Sequence, residues 1–247
     1  VNGLLPTGVD GAMLKGVDLD RHGNAWWVGV ASELTYFDPF RFALDAAYGS
    51  ADMGSIGGFD VERSGWFASI LGEYKMDYFT PGILFWYASG DDSNWANGSE
   101  RMPVVEGSWT ASSYGFDNFG RDACDMIGLT NDGKMGVYLQ AKDISFMEDL
   151  THIFRVGFIK GTNNTEMARW GITSPTGTSG RELYLTTADK AWEVNFDTQY
   201  KIYKDLTLAV EVGYINLDLD ENVWGKGVVD SYRENNVRGA VTLQYTF

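Results

Sequence analysis

The chain has 247 residues and a formal net charge of −15, from 34 acidic and 19 basic side chains, a balance that argues against holding nucleic acid through its phosphates. A single cysteine, Cys124, excludes an internal disulfide framework and a thiolate zinc site, and two histidines, His22 and His152, leave little for metal or triad chemistry. The longest strong apolar run is about 83–88, which excludes a transmembrane helix but not a membrane β-barrel, whose alternating strands escape hydropathy scans.

Along the chain the dominant pattern is a period of two, the mark of strands with unlike faces. It predicts nine strands, at 24–37, 40–50, 65–78, 81–90, 133–146, 151–160, 189–203, 206–217 and 236–247. In the second, Phe40, Phe42, Leu44, Ala46 and Tyr48 oppose Arg41, Ala43, Asp45 and Ala47. In the seventh, Trp192, Val194, Phe196, Thr198 and Tyr200 oppose Glu193, Asn195, Asp197, Gln199 and Lys201. In the last, Val237, Val241, Leu243, Tyr245 and Phe247 oppose Arg238, Thr242, Gln244 and Thr246. Strand 81–90 is apolar on both faces, so its phase stays open. Strand 133–146 needs a bulge or an early end, because Asp143 falls on the apolar face.

Short turns are expected at Asp38-Pro39, Phe79-Thr80, Glu148-Asp149 and Lys204-Asp205, and long polar loops at 51–64, 91–132, 161–188 and 218–235. Short alternating with long is the pattern of an up-and-down membrane barrel, with turns at one rim and loops at the other. No linker or fixed-period repeat interrupts it, so residues 1–247 read as a single β-barrel domain. Single-chain barrels have even strand counts, with both ends on the short-turn side. Nine strands put the N-terminus on the long-loop side. The expectation is therefore that strands upstream of Val1 are missing and that this is the C-terminal part of a barrel of about 16 strands. The alternative is one further strand around 12–18. The opening residues carry no basic stretch followed by an apolar one, as in a mature protein or a fragment.

The apolar faces carry large aromatics at both ends. Trp26, Tyr48, Trp66, Trp192 and Tyr214 fall near the long loops, and Tyr36, Phe40, Tyr78, Tyr200 and Phe247 near the short turns. Two such girdles are what amphipathic rings settling at headgroup depth produce. The opposite faces carry the acids Glu33, Asp45, Glu73, Asp77, Glu193, Asp197 and Glu211 and the bases Arg41, Lys75, Lys134, Lys142, Arg155, Lys201 and Arg238. Burying so many ions in a dry interior costs several kcal/mol each unless they are well paired. These residues are therefore expected to line a water-filled pore. The wall charge balances, the net negative charge falls in the loops, and weak cation preference from the mouth follows.

The closing Val241-Thr242-Leu243-Gln244-Tyr245-Thr246-Phe247 resembles the C-terminal strand of Gram-negative outer-membrane proteins. Leu34-Thr35-Tyr36-Phe37-Asp38-Pro39-Phe40, Glu73-Tyr74-Lys75-Met76-Asp77, Thr80-Pro81-Gly82, Tyr87-Ala88-Ser89-Gly90-Asp91-Asp92 and Ser99-Glu100-Arg101-Met102-Pro103-Val104 resemble the outer-membrane homotrimeric porins of Desulfovibrio-type sulfate reducers. The resemblance covers roughly residues 20–247. It implies an integral outer-membrane homotrimer, with long loops extracellular and short turns periplasmic, that passes ions and small hydrophilic solutes by diffusion. Tyr245 and Phe247 would serve as the signal read by the barrel assembly machinery, and membrane lipid and lipopolysaccharide would surround the wall. Porins narrow their lumen with an inward-folded loop, which makes Asp91, Asp92, Glu100, Arg101 and Asp117 of the longest loop candidates for a constriction. Counted back from Phe247, that loop is not the one that usually constricts, and an external loop is the alternative.

Other motifs carry less. Gly128 to Lys134 spaces like a phosphate loop, but Met135 stands where a magnesium-binding Ser or Thr belongs. Asp218, Asp220 and Asn222 open like a calcium loop, but Val223 replaces its glycine and Val229 its closing glutamate. A weak Ca²⁺ site at Asp218 and Asp220 is the most this allows, and no other cofactor is expected. No nucleophile motif accompanies either histidine, so no enzyme is expected. A substrate-selective channel, such as an acidic-polysaccharide exporter, would need a basic lumen. A plugged barrel used for structure or surface binding, and more distantly a soluble β-sandwich, complete the alternatives.

Overall fold

Every backbone N–H and C=O of a strand needs a partner on a neighbouring strand, and side chains alternate across the sheet that results. The period-two segments fold accordingly. The computed structural model describes residues 23–56, 59–94, 96–104, 133–169, 184–232 and 235–247. The strands are β1 (Asn24–Leu34), β2 (Phe40–Ile56), β3 (Phe59–Tyr74), β4 (Thr80–Ala88), β5 (Lys134–Met147), β6 (Leu150–Gly161), β7 (Lys190–Tyr203), β8 (Leu206–Asp218) and β9 (Asn236–Tyr245). Two short helices, α1 (Glu221–Trp224) and α2 (Lys226–Tyr232), precede β9. The strands form one nine-stranded sheet in chain order, each antiparallel to the next, with β1 and β9 at its two ends. The fold is all-β and up-and-down.

The register carries two unlike lines of residues across the whole sheet. One line runs Leu34, Phe42, Gly72, Ile83, Leu139, Val156, Val194, Tyr214, Val237, all apolar or aromatic. Its side faces outward: Ile83 is 51% exposed, Leu139 59% and Val241 69%. A parallel line on the inner side runs Arg41, Glu73, Gly82, Gln140, Arg155, Asn195, Gly213, Arg238. Slipping one strand by one residue would exchange its faces, so the apolar outer side and polar inner side together fix the register.

Some strand boundaries differ from the sequence pattern. β1 ends at Leu34 and β3 at Tyr74, so Tyr36, Lys75, Asp77 and Tyr78 lie in short connections rather than on the wall. β2 and β3 continue to Ile56 and from Phe59, where a long loop over 51–64 was expected, so the strict alternation of short and long connections fails there. Glycines and small polar residues made this stretch read as a loop. It stays paired because another segment supports it: Ser99 bridges Arg63 on β3, and Ser64 N–H donates to Ser99 O at 2.8 Å. The expected irregularity in β5 is present. Its pairing with β6 shifts after Ala141 and again after Ile144, and Asp143 adopts a left-handed φ of 58°.

At the long-loop end of β4 to β8 the inner side carries a buried core. Trp86, Tyr138, Ile159, Ala191, Ile215 and Leu217 of the wall pack with Met167, Tyr184, Leu185, Leu219, Trp224 and Val229 of the loops into one buried core. Large wall residues there lie flat across glycines of the adjacent strand. A Cβ on Gly157 would come within 2.3 Å of the Tyr138 ring, which crosses that position to donate from its hydroxyl to Glu193 Oε2 at 2.9 Å. Gly157→Val should therefore displace Tyr138 and break this bond. The expected cost is about 1–3 kcal/mol of overpacking, read as a lower denaturant midpoint; an unchanged midpoint would refute the close contact.

Candidate functional site

The inner wall near the short turns is built around one buried carboxylate. Glu73 is 4% exposed. Arg41 donates from Nη1 to Glu73 Oε2 at 2.7 Å and from Nε to Glu33 Oε1 at 2.6 Å. Lys142 Nζ lies 2.6 Å from Glu73 Oε1, which also accepts from Gln140 Nε2 at 2.9 Å. Gln140 reaches Glu73 across Gly82, where a side chain would meet both. Two cations and an amide offset the burial of this ion, and losing one partner would leave it undercompensated. In front lies a hollow of ≈ 280 Å³ lined by Thr35, Asp38, Arg41, Glu73, Lys75 and Lys142. Lys75, which left the strand, thus still faces the same space.

Midway along β6 to β8 the inner residues are acidic and covered. Glu193, Asp197 and Glu211 are at most 1% exposed. Arg155 Nη1 lies 3.8 Å from Asp197 Oδ2, Asn195 hydrogen-bonds Glu193, and the register sets Asp197 opposite Glu211. The expectation for these positions was an open, water-lined wall. They do occupy the inner phase, but with Lys134 they are buried rather than open to water. Asp45 and Arg238 are half-buried, and Glu33 and Lys201 are exposed.

The first part of the longest loop folds over the inner wall. Trp27 Nε1 donates to Pro103 O at 2.7 Å and Arg63 Nε to Arg101 O at 3.2 Å. Gly49 and Gly65 make room: a Cβ on Gly65 would strike Glu100 O at 2.1 Å. Asp91 anchors the loop from within, accepting from Ser99 Oγ at 2.5 Å and from the Tyr184 hydroxyl at 3.1 Å. Arg101 lies over the Tyr184 ring, 5.4 Å from its centroid. Burial, and then the neighbouring Asp91, push the Tyr184 hydroxyl well above its ordinary range. Asn163 ties three loops, donating to Gly133 O and Leu185 O and accepting from Asp91 N–H. Of the candidate constriction residues, Asp91 and Arg101 are therefore buried anchors, whereas Asp92 is exposed and Glu100 half-buried. Asp117 lies outside the described residues, as do His22 and Cys124.

The two weak calcium candidates point to different tasks. Asp218 Oδ2 lies 3.1 Å from Lys190 Nζ, and Asp220 Oδ1 caps α1 by accepting from Asn222 N–H at 2.7 Å. Among the described residues, no group of three His, Cys, Asp or Glu side chains is placed to hold a metal. His152 faces outward, hydrogen-bonded to Thr198 Oγ1 at 2.8 Å and stacked on Phe196.

No family model matches the sequence, and no curated protein matches it. Among solved structures, the crystal structure of Acinetobacter baumannii OccAB3 is similar to this chain, with a TM-score of 0.50 at 14% identity. The match covers 93% of this chain and 50% of that one, so the chain spans half the length of its structural neighbour. The fold is that of a porin-like β-barrel wall. The likeness extends to Gram-negative outer-membrane barrels as a fold and not to the porins of sulfate reducers.

Several residues of this barrel wall escaped the sequence reading. Tyr138 and Gln140 share the inner phase of β5 with Lys134 and Lys142, so phase alone marked them. Arg63 fell in the expected loop, and nothing local marks Tyr184 or Asn163, whose partners lie 93 and 72 residues away. Glu100 offers a test of the loop's packing. Burial raises its carboxyl above the ordinary 4.5, opposed by the hydrogen bond from Asp92 N–H and reinforced by the Asp92 and Asp91 charges. The folded segment thus binds this proton more tightly than the unfolded chain. Its stability falls as pH rises from 4.5 through the raised value. Amides around 96–101 should exchange more slowly at about pH 5 than at about pH 7.5, after correction for intrinsic rates, and Glu100→Gln should abolish that difference.

Proposed function

We propose that this chain forms the wall of an outer-membrane diffusion channel that passes ions and small hydrophilic solutes, without catalysis. The observation that carries the reading is the division of one continuous sheet into two faces. Outward stand Trp26, Trp66, Ile83, Leu139, Trp192 and Val241, between 45% and 69% exposed. An apolar surface that broad is not kept in water by a soluble monomer. Inward stand the ion-paired Glu33, Arg41, Glu73 and Lys142, beside open space. Lipid outside and water inside satisfy both faces. In the same reading the long loops are extracellular, the short turns periplasmic, Tyr245 and Phe247 serve barrel assembly, and the working unit is a homotrimer.

A second reading has its own observation. Met167, Tyr184, Leu185, Trp224 and Val229 fill the inner side at the long-loop end. A barrel so narrowed passes only selected solutes, or none. Single-channel recording of the detergent-extracted protein in a planar bilayer separates the two. Large ohmic steps that close in threes under voltage support the open trimer, and folded protein without conductance supports the plugged barrel.

Two variants test the faces. Arg238→Glu should shift the reversal potential in a salt gradient toward cations without unfolding the barrel; an unchanged potential would count against the inner assignment. Val241→Arg should hinder membrane assembly by about 2–4 kcal/mol if it sits at the bilayer midplane. Normal assembly of that variant would remove lipid from this face.

A further inference from the structure

The outer face of the long-loop rim is not uniform in charge. On β6 the outward phase runs Phe154, Val156, Phe158, Lys160, and on β7 it runs Lys190, Trp192, Val194. The register sets Phe158 opposite Trp192, with ring centroids 4.8 Å apart, and Lys160 directly opposite Lys190. Both lysines are exposed. Like charges placed directly opposite on a sheet repel. Asp218 on β8 offsets Lys190, at 3.1 Å, but Lys160 makes no ion pair among the described residues. One positive charge therefore remains on this patch, in a chain whose net charge is −15. Beside it, Tyr214 and Asn216 both donate to Asn235 Oδ1 at 2.8 Å. The same rim is acidic over β2 and β3, where Asp52 stands opposite Glu62.

Residues two apart on a strand are separated by about 6.6–6.8 Å. The lysines thus stand one such step beyond a ring pair of the kind that settles at headgroup depth. We propose that Lys160 and Lys190 hold the phosphate of an anionic membrane lipid, whose acyl chains lie along Phe158 and Trp192. This rests on the reading of the outer face as lipid-facing. A phosphate between the two ammonium groups converts their repulsion into charge-assisted hydrogen bonds. Lysine suits the place, because its long stem covers apolar surface while its charge reaches the polar layer. The acidic sector at Asp52 and Glu62 repels the same lipid, so the site belongs to β6 to β8 and not to the whole rim.

The test uses the full chain in bilayers of phosphatidylcholine and phosphatidylglycerol, with bromine on the acyl chains of one lipid or the other. Quenching of Trp192 is read as the difference between each protein and its Trp192→Phe counterpart. Brominated phosphatidylglycerol should quench Trp192 more than brominated phosphatidylcholine at equal content. The preference should fall about five-fold for each of Lys160→Gln and Lys190→Gln, and stay unchanged in Lys201→Gln at the opposite rim. Equal quenching by the two lipids, or a preference that survives the double variant, overturns the proposal. So does a double variant that alters only oligomer size in detergent, which would assign the lysines to a subunit contact. Quenching by neither lipid would instead overturn the lipid-facing reading on which the proposal stands.

Discussion

A β-strand cannot choose one face. Its pleat sends successive side chains to opposite sides, and its backbone must be paired along both edges. A chain made almost wholly of strands therefore presents two extended surfaces and must find an environment for each. Here the surfaces differ along two register lines that cross the whole sheet. From Leu34 to Val237 the outer line is apolar, and from Arg41 to Arg238 the inner one is polar or glycine. The antiparallel neighbour-to-neighbour order, the aromatic rims and the inner ion pairs all depend on that division.

The inner side solves a second problem, how to place large and charged groups on a curved wall. Glycines on adjacent strands receive side chains laid flat. Tyr138 crosses Gly157 to reach Glu193, and Trp86 packs over Gly136. Ions then meet partners in the plane of the wall, as Glu73 meets Arg41, Lys142 and Gln140. The result is two zones. Near the short turns the ion pairs border open space, and near the long loops the wall carries a loop-filled core around Trp86, Tyr184 and Trp224. This zoning bears directly on the choice between an open and a narrowed channel.

The loops are held by polar anchors that lie far apart in sequence. Asp91 joins Ser99, Tyr184 and Asn163. Asp189 accepts from Thr186, Asp220 N–H and Trp224 Nε1, and so fastens α1 to the mouth. Buried carboxylates of this kind are stable only when their hydrogen bonds are satisfied. Their number at one rim explains why the loops pack onto the wall instead of extending from it. The exposed Lys160 and Lys190 on the outer side of the same rim belong to a different environment.

The sequence by itself determined what depends on local periodicity: nine strands, their order, the inner phase of charges such as Glu73, Glu193 and Arg155, and the irregularity at Asp143. Alternation is written residue by residue, and antiparallel neighbours joined by short turns leave little freedom in pairing. The sequence did not determine what depends on distant partners. The continuation of β2 and β3 through 51–64 needs Ser99 beside Arg63. The dry core at the long-loop end needs Tyr184 and Trp224 brought over Tyr138 and Ile159. The burial of Glu193 needs Tyr138 laid across Gly157. Those contacts join residues separated by tens of positions with no shared pattern. Only the tertiary structure decided which inner charges meet water and which are enclosed.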